Sequence, residues 1–160
     1  MDITLVPVSI PEGCNLILGQ SHFIKTAEDL YEIIAGSVPG VRFGIAFSEA
    51  SGPCLIRTEG NDDGLIAAGV KTLAAISAGH VFCVYLRNAF PVNILNQVKA
   101  CPEVCRVFCA TANPLEVIVA SSDQGRGVLG VIDGFSPKGV ETTADRQERK
   151  EFLRKIGYKL

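Results

Sequence analysis

Residues Ala74–Leu86, AAISAGHVFCVYL, contain the end of a helix, a turn and a strand in close succession. Residues 74–76 are apolar and predict the last turn of a helix, and Ser77–Gly79 predict its end. Val81–Leu86 is an uninterrupted apolar run of strand length, which indicates a strand that is covered on both faces. His80 stands between the two elements. The stretch therefore predicts an α/β fold with a histidine at the end of a core strand.

The same alternation of helical and extended patterns continues on both sides of this stretch. It predicts one compact α/β domain over residues 1–160, with a mixed β-sheet and helices packed against it. The predicted strands are Ile3–Ile10, Asn15–Gly19, Val41–Phe47, Cys54–Glu59, Val104–Thr111, Leu115–Ser122 and Gly127–Gly134. The predicted helices begin at Thr26, at Asn61 or Asp62, at Pro91 and near Ala144.

Composition limits the classes of partner. The 160 residues carry a net charge of −2, which favours neither nucleic acid nor an anionic membrane. No apolar run approaches the roughly 18 residues of a membrane span. The amino terminus has an acid at Asp2 and a proline at Pro7, unlike a signal peptide. We expect a cytoplasmic protein whose partner is a small molecule or another protein chain.

The six cysteines are scattered along the chain, and their only cluster is CPEVCRVFC at residues 101–109, which holds three of them. Its spacing is not that of a paired zinc motif, and no histidine lies nearby. Cys105, Val107 and Cys109 alternate along a predicted strand, so we expect them to be buried on one face as small apolar residues. A metal or redox role for this cluster is the alternative hypothesis.

The segment GRGVLG at residues 125–130 has the glycine spacing of a dinucleotide-binding loop. Such a loop must open a helix, yet Gly134, Pro137 and Gly139 follow it closely and oppose one. The segment SSDQGRG instead predicts a hairpin connection between two strands.

Polar residues at the ends of apolar segments are the remaining candidates for a ligand site, because ligands of α/β sheets gather at strand ends. Each also has a structural alternative: Asn88 and Asn113 can cap turns, Asp133 can shape a turn, and a lone histidine is more often packed and hydrogen-bonded than catalytic. The candidates are Gln20, Ser21, His22, Glu49, His80, Asn88, Asn113, Asp123, Gln124, Arg126 and Asp133.

Several long segments closely resemble the adenosine-specific kinase family. They are ILGQSHFIKTAEDLYE, GIAFSEASG, RNAFPVNILN, FCATANPLEVIVA and QGRGVLGVIDGFSPKGVE. The resemblance implies a compact α/β protein that forms oligomers, binds adenosine or AMP and carries phosphate on a histidine. It also implies a homo-oligomer, which we expect to be built on a trimer.

The resemblance makes His80 the expected phosphate carrier. A neutral imidazole nitrogen is a nucleophile that can take a phosphoryl group, and Gly79 would leave room for phosphate oxygens at the backbone. His22 is the rival candidate, with Lys25 nearby as a possible phosphate partner.

Phosphoryl transfer depends on positioning and on neutralising oxygen charge. Arg126, between Gly125 and Gly127, is the expected phosphate clamp, and Lys138 is a second cation. The other expected ligand contacts are Mg²⁺ or a ribose hydroxyl at Asp123, Asp133 or Glu49, and the adenine edge at Gln124 or Asn113. The resemblance thus implies phosphoryl transfer that involves adenosine, AMP or ATP. Because the standard triphosphate motifs are absent, a non-catalytic, sensor-like adenine-nucleotide-binding oligomer is the alternative.

Overall fold

The computed structural model describes all 160 residues. Its eight strands are β1 (Asp2–Val8), β2 (Asn15–Ser21), β3 (Arg42–Ser48), β4 (Ile56–Gly60), β5 (Val81–Arg87), β6 (Val104–Thr111), β7 (Leu115–Ser121) and β8 (Arg126–Asp133). Its helices are α1 (Thr26–Ser37), α2 (Asp63–Ile76), α3 (Leu95–Ala100) and α4 (Thr143–Lys155), and a single 3₁₀ turn covers Pro91–Asn93.

The strands form two sheets. One has five strands in the order β4-β3-β5-β2-β6, and the other has three in the order β1-β7-β8. The α/β class predicted from the sequence is confirmed. The expected single mixed sheet is replaced by two sheets in which every paired strand is antiparallel. An apolar strand indicates that both faces of the sheet are covered, but it does not indicate whether the neighbouring strands are parallel or antiparallel.

The five-stranded sheet is the middle layer. Helices α1 and α3 cover one face, where Leu30 and Ile34 pack with Phe43 and Phe47. Helix α2 and the three-stranded sheet cover the other face. Successive side chains of β5 belong alternately to the two core clusters and are fully or almost fully buried, which confirms the predicted double coverage of Val81–Leu86.

Helix α2 lies directly on the backbone of β3 at Gly44. A Cβ atom added there would stand 2.3 Å from the backbone nitrogen of Ile66 and the carbonyl carbon of Leu65. The side chain of Asp62 accepts a hydrogen bond from the N–H of Leu65 at 3.1 Å and caps the helix. This close contact fixes the course of α2, and therefore the position of the turn that follows it.

The cysteine cluster differs from the expectation. The register between β2 and β6 shifts between Leu18 and Gly19, so Cys109 and Val107 face opposite core clusters. Cys105 is exposed, whereas Cys101 and Cys109 are buried. The prediction that Cys105, Val107 and Cys109 share one buried face was wrong, because a β-bulge breaks the alternation.

The three-stranded sheet and helix α4 leave much apolar surface uncovered. On the outer side of the three-stranded sheet, Ile3 is 61% exposed, Leu5 53% and Leu129 61%. Helix α4 buries none of its residues, and Phe152 is 58% exposed on it. None of the helices is both long and apolar enough to cross a membrane.

Candidate functional site

His80 is held in an unusual backbone conformation at the start of β5. Its φ angle is +61°, in the left-handed region that residues with a side chain seldom adopt. Its N–H donates to the carbonyl oxygen of Ser48 at 2.7 Å, and its own carbonyl accepts from the N–H of Ser21 at 2.9 Å. The peptide of His80 is thus tied to the ends of both neighbouring strands. Backbone strain persists only where the surroundings impose it, and it is frequent at functional sites.

The imidazole of His80 is half-buried and stacks on Phe47, with ring centroids 5.9 Å apart and an interplanar angle of 22°. The neighbouring Gly79 does not provide the open space expected for phosphate. A Cβ atom at Gly79 would lie 2.8 Å from the Cβ of Ala50, so the loop between β3 and β4 occupies that side. The glycine permits this loop to pack against the turn, which orients His80.

His22 lies at the same end of the five-stranded sheet, because it follows Ser21, the residue bonded to His80. Its side chain is exposed, and its N–H donates to the carbonyl oxygen of Glu103 at 3.0 Å. The Ser21 hydroxyl receives a hydrogen bond from Thr26 Oγ1 at 2.9 Å in a buried position. The structure therefore brings the two histidines of the chain to one end of the sheet.

A buried carboxylate anchors the loop that carries His22. The side chain of Glu103 accepts hydrogen bonds from Lys25 Nζ at 2.8 Å and from Cys101 Sγ at 2.7 Å. Burial raises the pKa of Glu103, but the hydrogen bonds that Cys101 and Lys25 donate to its carboxylate outweigh it and lower the pKa to about 2. Asp29, Cys101 and Glu103 lie close enough to hold a cation, and the Lys25 ammonium bridges the two carboxylates. Sequence reasoning missed Glu103.

Glu49 organises the loop after β3. Its carboxylate accepts from the N–H of Leu55 at 2.8 Å and from Arg57 Nε at 2.9 Å. The Leu55 N–H, together with Arg57, lowers the pKa of Glu49 although burial opposes this. Arg57 lies opposite Phe47 in the β3–β4 pairing, so the two side chains are on the same face of the sheet. Phe47 is the residue whose ring stacks with His80. Arg57 was not among the site residues predicted from the sequence.

Arg126 opens β8 beside the end of α2. Its guanidinium donates to the carbonyl oxygen of Ala75 at 3.1 Å and to Thr4 Oγ1 at 3.3 Å, while its Nε is buried without a partner. Arg126 therefore caps the helix whose following turn carries His80. Gly125 and Gly127 flank it, and exposed Asp123 and Gln124 form the hairpin tip. The hairpin connection predicted for SSDQGRG, residues 121–127, is confirmed by the antiparallel pairing of β7 and β8.

Asn113 and Asp133 lie at the other end of the molecule. Both are bonded locally, since Asp133 Oδ1 accepts from Thr111 Oγ1 at 2.6 Å and from Asn113 Nδ2 at 3.2 Å. Asp123 lies in the turn before β8 and Asp133 is the last residue of β8, so the length of the strand, about 23 Å at 3.3 Å per residue, separates them. Lys138 is exposed in the segment after β8. A single chain therefore does not bring Asp123, Asp133 and Glu49 together around one magnesium ion.

Two large cavities flank these groups. One of about 620 Å³ lies between the start of α1 and β4, on the His80 side. The other, of about 830 Å³, lies at the Asn113 end and is lined in part by Phe90 and by Tyr158 of the carboxyl terminus. The molecule thus offers two separate spaces for a small molecule, one at each end.

The fold and the polar residues around His80 define a small α/β protein with a candidate ligand site at one end of its five-stranded sheet. The chain belongs to the adenosine-specific kinase family, because the family model described as adenosine specific kinase matches residues 6–159. The crystal structure of the PH1918 protein from Pyrococcus horikoshii OT3 is similar, with 43% sequence identity and a TM-score of 0.95. The match covers 99% of this chain and 98% of that one. None of the curated proteins compared with the chain matches it.

Proposed function

We propose that this protein binds adenosine or AMP and transfers a phosphoryl group through a phosphohistidine at His80. Family membership supports adenosine as the ligand. The observation that carries the residue assignment is the conformation of His80, whose backbone is held at a φ of +61° between two strand ends. Uncommon backbone conformations of this kind cluster at functional sites, which supports His80 as the reactive residue.

The reaction has two displacements at phosphorus. A ring nitrogen of His80 attacks the terminal phosphorus of a nucleoside triphosphate; a P–N bond forms, the bond to the bridging oxygen breaks, and the nucleoside diphosphate leaves. The 5′-oxygen of adenosine then attacks the same phosphorus. The P–N bond breaks, AMP forms, and the hydroxyl proton passes to the released ring nitrogen.

Cations around His80 support the charge that develops on the phosphoryl oxygens. Lys25 and Arg57 lie at this end of the molecule, and their side chains are 54% and 40% exposed, so both are accessible to a ligand. Arg126 contributes by holding the end of α2, and it binds phosphate itself only if it releases Ala75. The separated carboxylates do not form a magnesium cage within one chain, and Mg²⁺ in such reactions is bound largely by substrate phosphates.

The assembly that we propose is a homo-oligomer based on a trimer, in the cytoplasm. Ile3, Leu5 and Leu129 form an apolar patch on the outer side of the three-stranded sheet, and isolated chains seldom leave such a patch uncovered. A second copy of the chain would cover it.

Steady-state formation of nucleoside diphosphate from ATP tests the proposed function. We expect turnover that depends on adenosine and disappears in His80→Asn, because asparagine tolerates the left-handed conformation but lacks the nucleophile. Adenosine binding without turnover in the wild-type protein would instead support the sensor-like alternative.

A further inference from the structure

The cavity of about 620 Å³ lies between the first turn of α1 and the edge strand β4. Its apolar wall includes Phe23, Ile24 and Ile56. Phe23 is 49% exposed although it is a large aromatic residue, and its ring stacks with that of His22 at a centroid distance of 6.2 Å. An exposed aromatic ring beside a cavity is a platform on which a nucleobase can stack.

Charged groups of both signs line the same cavity. The register of β4 puts Arg57 opposite Phe47 and Glu59 opposite Ile45, so both side chains point to the α1 side of the sheet. Lys25 and Glu28 face them from the start of α1. Arg57 and Lys25 offer hydrogen-bond donors to phosphate oxygens.

The two carboxylates of this cavity are available to a ligand. Neither Glu28 nor Glu59 forms an ion pair within the chain, in contrast to Glu49, Asp29 and Glu103. A free carboxylate accepts hydrogen bonds from hydroxyl groups, and the vicinal diol of a ribose is a frequent partner.

We propose that this cavity, which we name the α1–β4 cleft, is the nucleoside subsite of the protein. The base stacks on Phe23, and the ribose hydroxyls donate to Glu59 or Glu28. The 5′-oxygen or its phosphate points toward Arg57 and His80. This inference rests on the proposed function and assigns its substrate to particular residues.

The distances within the sheet suit this arrangement. His80 precedes β5, and β5 is separated from β4 by β3 alone. Neighbouring strands lie about 4.8 Å apart, so His80 is about 10 Å from the cleft wall, a span that a nucleoside bridges from its base to its 5′-oxygen. The larger cavity near Asn113 and Phe90 lies at the opposite end of the sheet, too far for direct transfer to or from His80 of the same chain.

Calorimetric titration with adenosine tests the assignment. Phe23→Ala should weaken binding about tenfold or more, since one base–aromatic stack is lost. Phe90→Ala is the matched control, because Phe90 is an exposed phenylalanine of the other cavity, and it should leave the affinity unchanged.

Glu59→Gln provides a second and independent measurement. The wild-type protein should bind adenosine more tightly than 2′,3′-dideoxyadenosine. In Glu59→Gln, the ratio of these two affinities should be about tenfold smaller than in the wild-type protein. Glu32→Gln, an exposed glutamate of α1 outside the cleft, is its control.

The outcomes separate the two levels of the proposal. Wild-type protein that binds no adenosine would overturn the proposed function. Wild-type protein that binds adenosine with an affinity that Phe23→Ala and Glu59→Gln leave unchanged would overturn the cleft alone. Loss of binding in Phe90→Ala but not in Phe23→Ala would move the subsite to the other cavity.

Discussion

Replacing His80 by alanine and by glycine separates its backbone conformation from its side-chain contact. Both variants lose the stacking on Phe47, which is worth about 1 kcal/mol. A residue with a Cβ atom pays about 1–2 kcal/mol in the left-handed conformation, and glycine does not. Glycine lowers the free energy of unfolding by about 0.5–1 kcal/mol relative to alanine, because it gives the unfolded chain more conformational freedom. His80→Gly should therefore be more stable than His80→Ala by about 0.5–1 kcal/mol.

Urea unfolding measures this difference. With equal slopes for the two variants, the midpoint of His80→Gly should be higher, and its melting temperature should be higher by about 2 °C. Neither variant should accept phosphate. If His80→Ala were as stable as His80→Gly or more stable, the backbone at this position would not be left-handed, and the reasoning from strain to function would fail.

Three further predictions concern stability and assembly. The pKa of Glu103 is lowered from 4.5 to about 2 in the folded protein, so its contribution is present above pH 4.5 and is lost as the pH falls toward 2. In Glu103→Gln, the free energy of unfolding measured with urea should change less between pH 4.5 and pH 2 than it does in the wild-type protein. The same pH dependence in both proteins would contradict a stabilising role for the hydrogen bonds of Glu103 with Lys25 and Cys101. Gly44→Ala should cost about 3 kcal/mol or prevent folding, because the backbone of α2 must move; circular dichroism that shows wild-type stability would contradict this. If the chain assembles through the outer face of the three-stranded sheet, as we propose, Leu129→Asp should lower the mass measured by light scattering to that of a monomer. An unchanged oligomeric mass would exclude this face as the interface.

Local signals were sufficient to predict most of the elements. The apolar run at Val104–Thr111 matches β6 at both ends, and the polar turn at 122–125 joins β7 to β8 as expected. These features depend on periodicity and turn chemistry within a few residues, which a sequence displays directly. His80 was recognisable for the same reason, since it interrupts an apolar pattern at a strand end.

Long-range features were not predictable in this way. Lys25 and Glu103 are 78 positions apart, and their ion pair exists only because β6 begins beside the end of β2. Arg57 reaches the site through the register of β3 and β4, which its own segment does not reveal. The glycine at Gly79 was interpreted as space for a ligand, whereas a neighbouring loop fills it. Each of these depends on which strands pair.

Mapping the phosphorylated residue by mass spectrometry tests the central claim most directly. After incubation with ATP, the phosphate should be acid-labile and base-stable and should lie on His80. It should disappear in His80→Asn and persist in His22→Ala. Phosphate on His22 with none on His80 would contradict the account and transfer the nucleophile to the exposed loop at residues 22–25.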